Sequence, residues 1–423
     1  MLKRISSGYV WLYVAKLAAL GANLIIYKYV GERLGVNGFG EYSLARRALA
    51  VLLPILILGQ LVALPRLIAI RGGGGESSRQ ALVAATAVFL SAMGIVVGIS
   101  TVAPGALADL FFGSPEYRIL LAPMMSLVLA QGVFFLVSGY LQGRMNFRMY
   151  GVVGLICGGI APLCGFWLAP RTTIGVLYGL AISVGFSAVV LGVVVVRRLG
   201  RHAFQSLPFR ELLVVGLPRV PGDFAMGGML GIPSMLVASR VGIAEAGAVA
   251  FCGTMMSMAI TAVAPISTAW LPKFTDLARD GHGYRMKKTA LTTLAGVLAV
   301  ITVGLGVVGV LMPLLTKWYL GEDFLPSVSV FRIFSAGLIP ITIYGCLRSI
   351  VDSAYAHPVN TYNIGISLAT FFLCEHLFRS ILSGVWPVIA GALVSYVVLA
   401  LLTVLVCIRP FRPGFRLVQK PES

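Results

Sequence analysis

The sequence predicts an all-α polytopic membrane protein, with about twelve transmembrane helices in two pseudo-symmetric lobes of six. Three observations carry this. The first is composition: of 423 residues, 58% are hydrophobic and only 11% charged, where a soluble domain carries about 25% charged residues. The second is patterning. Twelve apolar runs follow one another, each near the roughly 20 residues that a helix needs to cross a bilayer core. Backbone polar groups in lipid must pair within their own segment, so each run is expected to be helical. The third is a repeat. Tyr29 to Arg47 reads YVGERLGVNGFGEYSLARR, and a weaker copy, VASRVGIAEAGAVAFCG, starts at Val237. Arg33, Gly35 and Gly40 of the first copy fall on Arg240, Gly242 and Gly247 of the second.

Taken in order, the spans are expected at 8–30, 43–70, 80–103, 118–140, 150–169, 174–196, 212–237, 247–271, 289–312, 327–347, 361–381 and 385–408. The first carries Lys16, with Asn23 seven residues on and so on the same face, and Lys28 close enough to an end to snorkel. A short polar hairpin leads to the second span, which opens on Arg46 and Arg47. Adjacent residues cannot point the same way, so one is expected to face the interior and the other the outer interface. The longest polar connection, RRLGRHAFQSLPFRE at 197–211, follows span six. It places an N-lobe at 1–200 and a C-lobe with a basic tail at 201–423.

Span seven, GLPRVPGDFAMGGMLGIP, is the most broken, with Pro218, Pro221 and Pro233 and loosening glycines. Each proline removes an intrahelical hydrogen bond. Other breakers are Pro54 and Pro65 in span two, Pro162 in five, Pro265 in eight and Pro340 in ten. Arg219 precedes Asp223 in span seven, and Arg348 precedes Asp352 at the end of span ten. The i,i+4 spacing puts each pair on one helix face. Each pair has a structural explanation, self-neutralisation, and a functional one, in which a substrate anion or a proton competes for the pair.

Charge sets the expected topology. Lys and Arg outnumber Asp and Glu by 33 to 15, for a net +18. Nineteen of the 33 cations fall on the N-terminus, the even-numbered connections and the tail; seven fall on the odd connections. By the positive-inside bias both termini are expected in the cytoplasm. The other seven, Lys16, Lys28, Arg46, Arg47, Arg66, Arg219 and Arg348, lie in or near the spans. A charge at a helix centre costs roughly 2.5–3.5 kcal/mol on insertion scales, so these residues need a reason.

The six cysteines all lie in apolar runs and read as small packing residues. Cys157 and Cys164, seven apart, are expected on one helix face. No metal-ligand spacing, P-loop or HExxH occurs, the four histidines form no cluster, and no cleavable signal is evident. No connection is long enough to fold as a catalytic domain. Transport is therefore favoured over enzymology, with no catalytic residue and no metal assigned.

The first two spans, with YKYVGERLGVNGFGEYSLARRALAVLLPI joining them, resemble the Wzx-type polysaccharide flippases of O-antigen and exopolysaccharide synthesis. These belong to the multidrug/oligosaccharidyl-lipid/polysaccharide (MOP) exporter superfamily, whose six-plus-six plan is similar in shape to the MATE drug antiporters. The stretch LVSGYLQGRMNFRMYGVVGLI adds a weaker match. The resemblance implies movement of an undecaprenyl-pyrophosphate-linked oligosaccharide from the inner to the outer leaflet of the bacterial inner membrane, by alternating access through a cationic cavity. It implies Lys16, Lys28, Arg46, Arg47, Arg219 and, less directly, Arg348 as substrate-binding cations. Asp223 or Asp352 would be the site of proton or sodium coupling, with no other cofactor. The partners it implies are the lipid-linked glycan, membrane lipids and polysaccharide polymerase machinery, and no nucleic acid. The alternatives are an ion-coupled drug antiporter of the same fold and a membrane enzyme acting on lipid-linked glycans. An antiporter for cations would need acids in the N-lobe spans.

Overall fold

The polar hairpin between the first two spans is itself helical. In the computed structural model, which describes residues 2–71, 75–197, 207–279, 283–355 and 359–410, α1 (Leu2–Ile57) is broken inside only at Gly35. That residue has φ 65° and ψ −170°, a conformation essentially reserved for glycine. A straight helix would hold Asn23 and Arg46 roughly 34 Å apart at 1.5 Å per residue. They are hydrogen-bonded at 3.0 Å, and the Tyr27 and Tyr42 rings meet at 5.2 Å. α1 is therefore two antiparallel limbs joined through one glycine, where the sequence suggested a polar turn.

After a bend of 40° at Leu58–Gly59 comes α2 (Gln60–Ile70). α3 (Gly75–Val102), the short α4 (Pro104–Phe112), a 3₁₀ turn (Pro115–Leu120) and α5 (Leu121–Gly143) follow. α6 (Phe147–Leu155) runs through a π-helical turn (Ile156–Ile160) into α7 (Ala161–Leu168), and α8 (Thr173–Arg197) closes the set. Then come α9 (Phe209–Gly216), a 3₁₀ break at Leu217–Arg219, and α10 (Val220–Arg240). α11 (Ile243–Arg279), α12 (Gly283–Tyr319), α13 (Val328–Ser335), α14 (Leu338–Ala354), α15 (Val359–Phe378) and α16 (Trp386–Ile408) complete the chain. No strand occurs among the described residues.

Every expected span falls on helix. By length and composition eight helices could cross a membrane, or ten if each of two bent pairs is one span. α1 enters that tally only in a bent pair with α2, although Gly35 folds it into two limbs. α15 is absent from it, and carries Asn360, Asn363, Glu375 and His376. The protein is a multi-pass, all-helical membrane protein.

The chain divides into two compact units, Met1–Phe224 and Ala225–Ser423. In the first, α5 packs on α8 and α2, α1 on α6, and α9 on α2. In the second, α14 packs on α11 and α16, and α15 on α16; there the buried Tyr396 hydroxyl donates to the Met229 carbonyl at 3.1 Å. Residues 198–206, most of the expected seam, lie outside the described residues.

The repeat is visible in the backbone. α10 ends at Arg240 and α11 begins at Ile243, with Gly242 at φ 151° matching Gly35. Both paired glycines thus sit at positive φ, where a side chain would strain the chain.

Two breaks differ from expectation. Pro54, Pro65 and Pro233 sit inside helices, while span two bends at Leu58–Gly59. Leu58 has φ 52° and Gly59 φ 71°. The π turn at 156–160 adds a residue to the local helical repeat. It turns Cys157 and Cys164 away from each other, contrary to the shared face expected: Cys157 is buried and Cys164 exposed.

Candidate functional site: a cation in an apolar cavity of the first unit

A cavity of about 250 Å³ opens between the two limbs of α1 and helices α5, the π turn, α7 and α8. Its walls are mostly apolar, with Phe134, Phe135, Leu180 and Val184 among them. The polar groups are Asn23, Arg46, Gln131 and Tyr42. Local packing explains how they meet. Gly154, Gly158 and Gly159 of α6 and the π turn lie against Ala15, Ala19 and Ala18, so that an added Cβ would come within 3.1–3.2 Å. Small residues on both sides let the helix backbones approach closely. This seats the first limb of α1 against α6, and the Gly35 fold returns the second limb so that Arg46 faces Asn23.

The orientation of Asn23 follows from its hydrogen bonds. Its amide nitrogen donates to the Ala19 carbonyl at 2.9 Å, which leaves the amide oxygen to accept from Arg46 Nη2 at 3.0 Å. A guanidinium has five N–H donors. Asn23 is neutral, and no carboxylate pairs with Arg46 among the described residues. Beside it Tyr42 is fully buried, and its hydroxyl has no partner among the described residues. A half-buried cation with no acid beside it and an unsatisfied hydroxyl are both costly in an apolar cavity. An anion with several acceptor oxygens would satisfy the guanidinium; the Tyr42 hydroxyl is closed off from the cavity.

The other sequence-selected cations lie elsewhere. Lys16 is half-buried one turn before Ala19, on the stripe that leads to Asn23. Lys28 is 3.8 Å from Glu32. Arg47 is 6% exposed and does not line the cavity. The expectation that one member of the 46/47 pair faces an outer interface therefore fails, because the second limb of α1 is covered on both sides. Arg219 is exposed in the 3₁₀ break, with Asp223 half-buried one turn on. Arg348 meets Asp352 at 3.4 Å, and Asn360 donates to the same carboxylate at 2.7 Å. Arg66 is exposed.

Sequence reasoning passed over three groups. Gln131 and Tyr42 complete the cavity; Gln131, a lone amide in an apolar run, was the available signal. The third is Glu375 on α15, whose side chain is 3% exposed. It accepts from Arg240, and from Arg379 at 2.9 and 3.2 Å. The paired arginines of the repeat are thus anchored differently. Arg33 lies over the rings of Tyr29, Phe166 and Trp167 at 5.7, 5.0 and 4.5 Å, while Arg240 is held by a buried carboxylate.

Comparison with solved structures gives the fold a context. The chain matches an inward-facing multidrug resistance MATE family transporter of the MOP superfamily, with TM-score 0.77 and 12% identity, covering 95% of this chain and 97% of that one. It matches the lipid II flippase MurJ in an inward closed conformation, with TM-score 0.74 and 14% identity over 96% and 89%. It also matches a MOP superfamily transporter from Pyrococcus furiosus, with TM-score 0.67 and 14% identity over 96% and 97%. These likenesses establish the fold. No curated protein matches the sequence. The model of one family, described as "Polysaccharide biosynthesis protein", matches residues 5–278. With a MOP-superfamily fold and a family match over most of its length, the chain belongs to the polysaccharide biosynthesis protein family.

Proposed function

We propose that this protein is a flippase: it carries an undecaprenyl-pyrophosphate-linked oligosaccharide from the inner to the outer leaflet of a bacterial cytoplasmic membrane, in polysaccharide synthesis. One observation carries the reading. Arg46 is a half-buried cation in an apolar cavity, held by a neutral amide and matched by no carboxylate. A pyrophosphate diester supplies about two negative charges and several acceptor oxygens, which suits the unused guanidinium donors. Lys16, on the same stripe of α1, adds a second cation on the approach. Family membership supports the pathway, and the likeness to a lipid II flippase supports a lipid-linked cargo.

Physics allows the direction. An inside-negative potential favours outward movement of an anion by about 2.3 kcal/mol per charge per 100 mV. The loaded carrier gains from this only if the phosphate charge exceeds that of the cations moving with it. Positive-inside topology places both termini in the cytoplasm. Within the same reading, Asp223 and Asp352 are the candidates for a proton or sodium ion that resets the carrier. Nothing in this scheme makes or breaks a covalent bond, so the protein acts as a carrier.

The test is genetic. Arg46→Ala and Lys16→Ala should each reduce surface polysaccharide at least tenfold while the protein stays at normal abundance in the membrane. Wild-type glycan from both variants would refute the anion-site reading.

A further inference from the structure

The first unit holds a second cavity, of about 370 Å³, lined by residues of different chemistry. It lies near the Gly35 fold, where Leu34, Gly38 and Glu41 of α1 face Tyr117 of the 3₁₀ turn and Thr172 and Thr173 at the start of α8. Its volume falls within the roughly 300–1,000 Å³ of small-ligand sites. No cation lines it. Glu41 is half-buried and makes no hydrogen bond or ion pair among the described residues. Thr172 Oγ1 accepts from the Gly175 amide at 3.0 Å, which leaves its hydroxyl proton to donate. Gly38 lets Leu34 and Thr173 close in on the backbone: a Cβ there would meet Leu34 Cβ at 2.5 Å and Thr173 Oγ1 at 3.4 Å.

An unpaired carboxylate repels phosphate, so this is no second anion site. A carboxylate can accept from two neighbouring hydroxyls, while tyrosine and threonine hydroxyls both donate and accept. That is the complement of a sugar ring, whose hydroxyls also do both. The apolar walls, Leu34 and Ile119, suit the C–H face of the ring.

The two cavities are also in register. The same three stretches of chain run from one to the other: Glu41 to Arg46 on α1, Leu120 at the end of the 3₁₀ turn to Leu127 on α5, and Ile174 to Leu180 on α8. At 1.5 Å of rise per residue they are separated by roughly 7–11 Å along the helices. A short saccharide joined to a phosphate spans such a distance.

We propose that the Glu41 cavity is a saccharide subsite, which reads the sugar of a glycosyl pyrophosphate whose phosphates sit at Arg46. Glu41 accepts from vicinal hydroxyls, and Tyr117 and Thr172 complete the ring of polar contacts. The inference rests on the anion-site reading above but is tested apart from it.

The experiment is a binding titration of the purified full chain with two probes. One is undecaprenyl pyrophosphate; the other is the same carrier bearing a disaccharide begun with an N-acetylhexosamine. The wild type should bind the glycosylated probe at least tenfold more tightly. Glu41→Gln should erase that preference and leave affinity for the sugarless probe unchanged. Tyr117→Phe, which removes one oxygen and keeps the ring beside Phe112, should erase most of it and serves if the glutamine variant folds poorly. Arg46→Gln should weaken both probes by a similar factor with the preference intact. A wild type without preference, or a preference kept in both cavity variants, overturns the saccharide subsite. An Arg46→Gln variant that binds both probes normally overturns the anion site and leaves the saccharide subsite standing.

Discussion

Glu375 shows how far one side chain can decide local order. It is buried, and two arginines close on it: Arg240 with a side chain 33% exposed and Arg379 with one 48% exposed. Removing one member of a buried ion pair costs about 3–5 kcal/mol, because the partner is left uncompensated. Here both arginines can reach water, so the low end applies. Glu375→Gln should destabilise the detergent-purified protein by about 3 kcal/mol, read as a lowered thermal midpoint. A loss within about 0.5 kcal/mol, the range of an unremarkable surface change, would mean the triad is ornamental. The sequence contained the clue, since Arg379 follows Glu375 by four residues. Arg240 could not be placed there, because 135 residues separate it from Glu375. Arg46 has the same history. Its charge inside a span was plain from composition, but its pairing with Asn23 exists only because α1 folds at Gly35. Tyr42 and Gln131 were invisible as site residues for a related reason: each is ordinary until a cavity surrounds it.

Among the elements, the folded α1 and its echo at α10–α11 were the most legible. The spacing paired Gly35 with Gly242 and Gly40 with Gly247 without a structure, but did not say which pair carries positive φ: Gly35 and Gly242 do, while Gly40 and Gly247 lie in regular helix. The helical state of the hairpin was not legible, since its polar residues read as a turn. Nor was the π turn, which shifts register without any residue that announces it. Gly35→Ala should cost roughly 1–3 kcal/mol, the strain of a side chain in a glycine-only conformation. Gly21→Ala, in regular helix with open space around it, should be neutral or stabilising by up to about 1 kcal/mol. Equal thermal midpoints for the two variants would contradict this account of the fold in α1. A second contact joins two broken helices. A Cβ on Gly216 would lie 2.3 Å from the Leu58 carbonyl, and one on Gly59 only 2.1 Å from the Gly216 carbonyl. The ends of the same pair are tied by Arg71, which donates to both Glu211 oxygens at 2.6 and 2.7 Å. Backbone cannot yield as a flexible side chain can, so Gly216→Ala should sharply reduce folded yield. Normal yield by size-exclusion chromatography would show that α2 and α9 separate freely.

For the molecule as a whole, composition alone settled the membrane class, because no soluble core tolerates so few charges. Periodicity then gave the all-helical plan, and the family followed from the residues around the Gly35 fold. The limits were also physical. Sequence ranks a cation by its depth in a span, while function depends on which cations face one cavity. Of six selected cations, Arg46 lines the cavity described here, and Lys28 and Arg348 have acids beside them. Electrostatics separates the proposed cargo from its rival. A pathway for cationic drugs needs a carboxylate where this cavity presents a guanidinium, so this cavity suits an anion. The measurement that tests the central claim most directly is translocation of fluorescent undecaprenyl-pyrophosphate-linked disaccharide in vesicles containing the purified protein. The account predicts transfer by the wild type and a loss of at least tenfold in Arg46→Ala at equal incorporation. Transfer at wild-type rate by Arg46→Ala, or efflux of a cationic dye in place of glycolipid transfer, would contradict it.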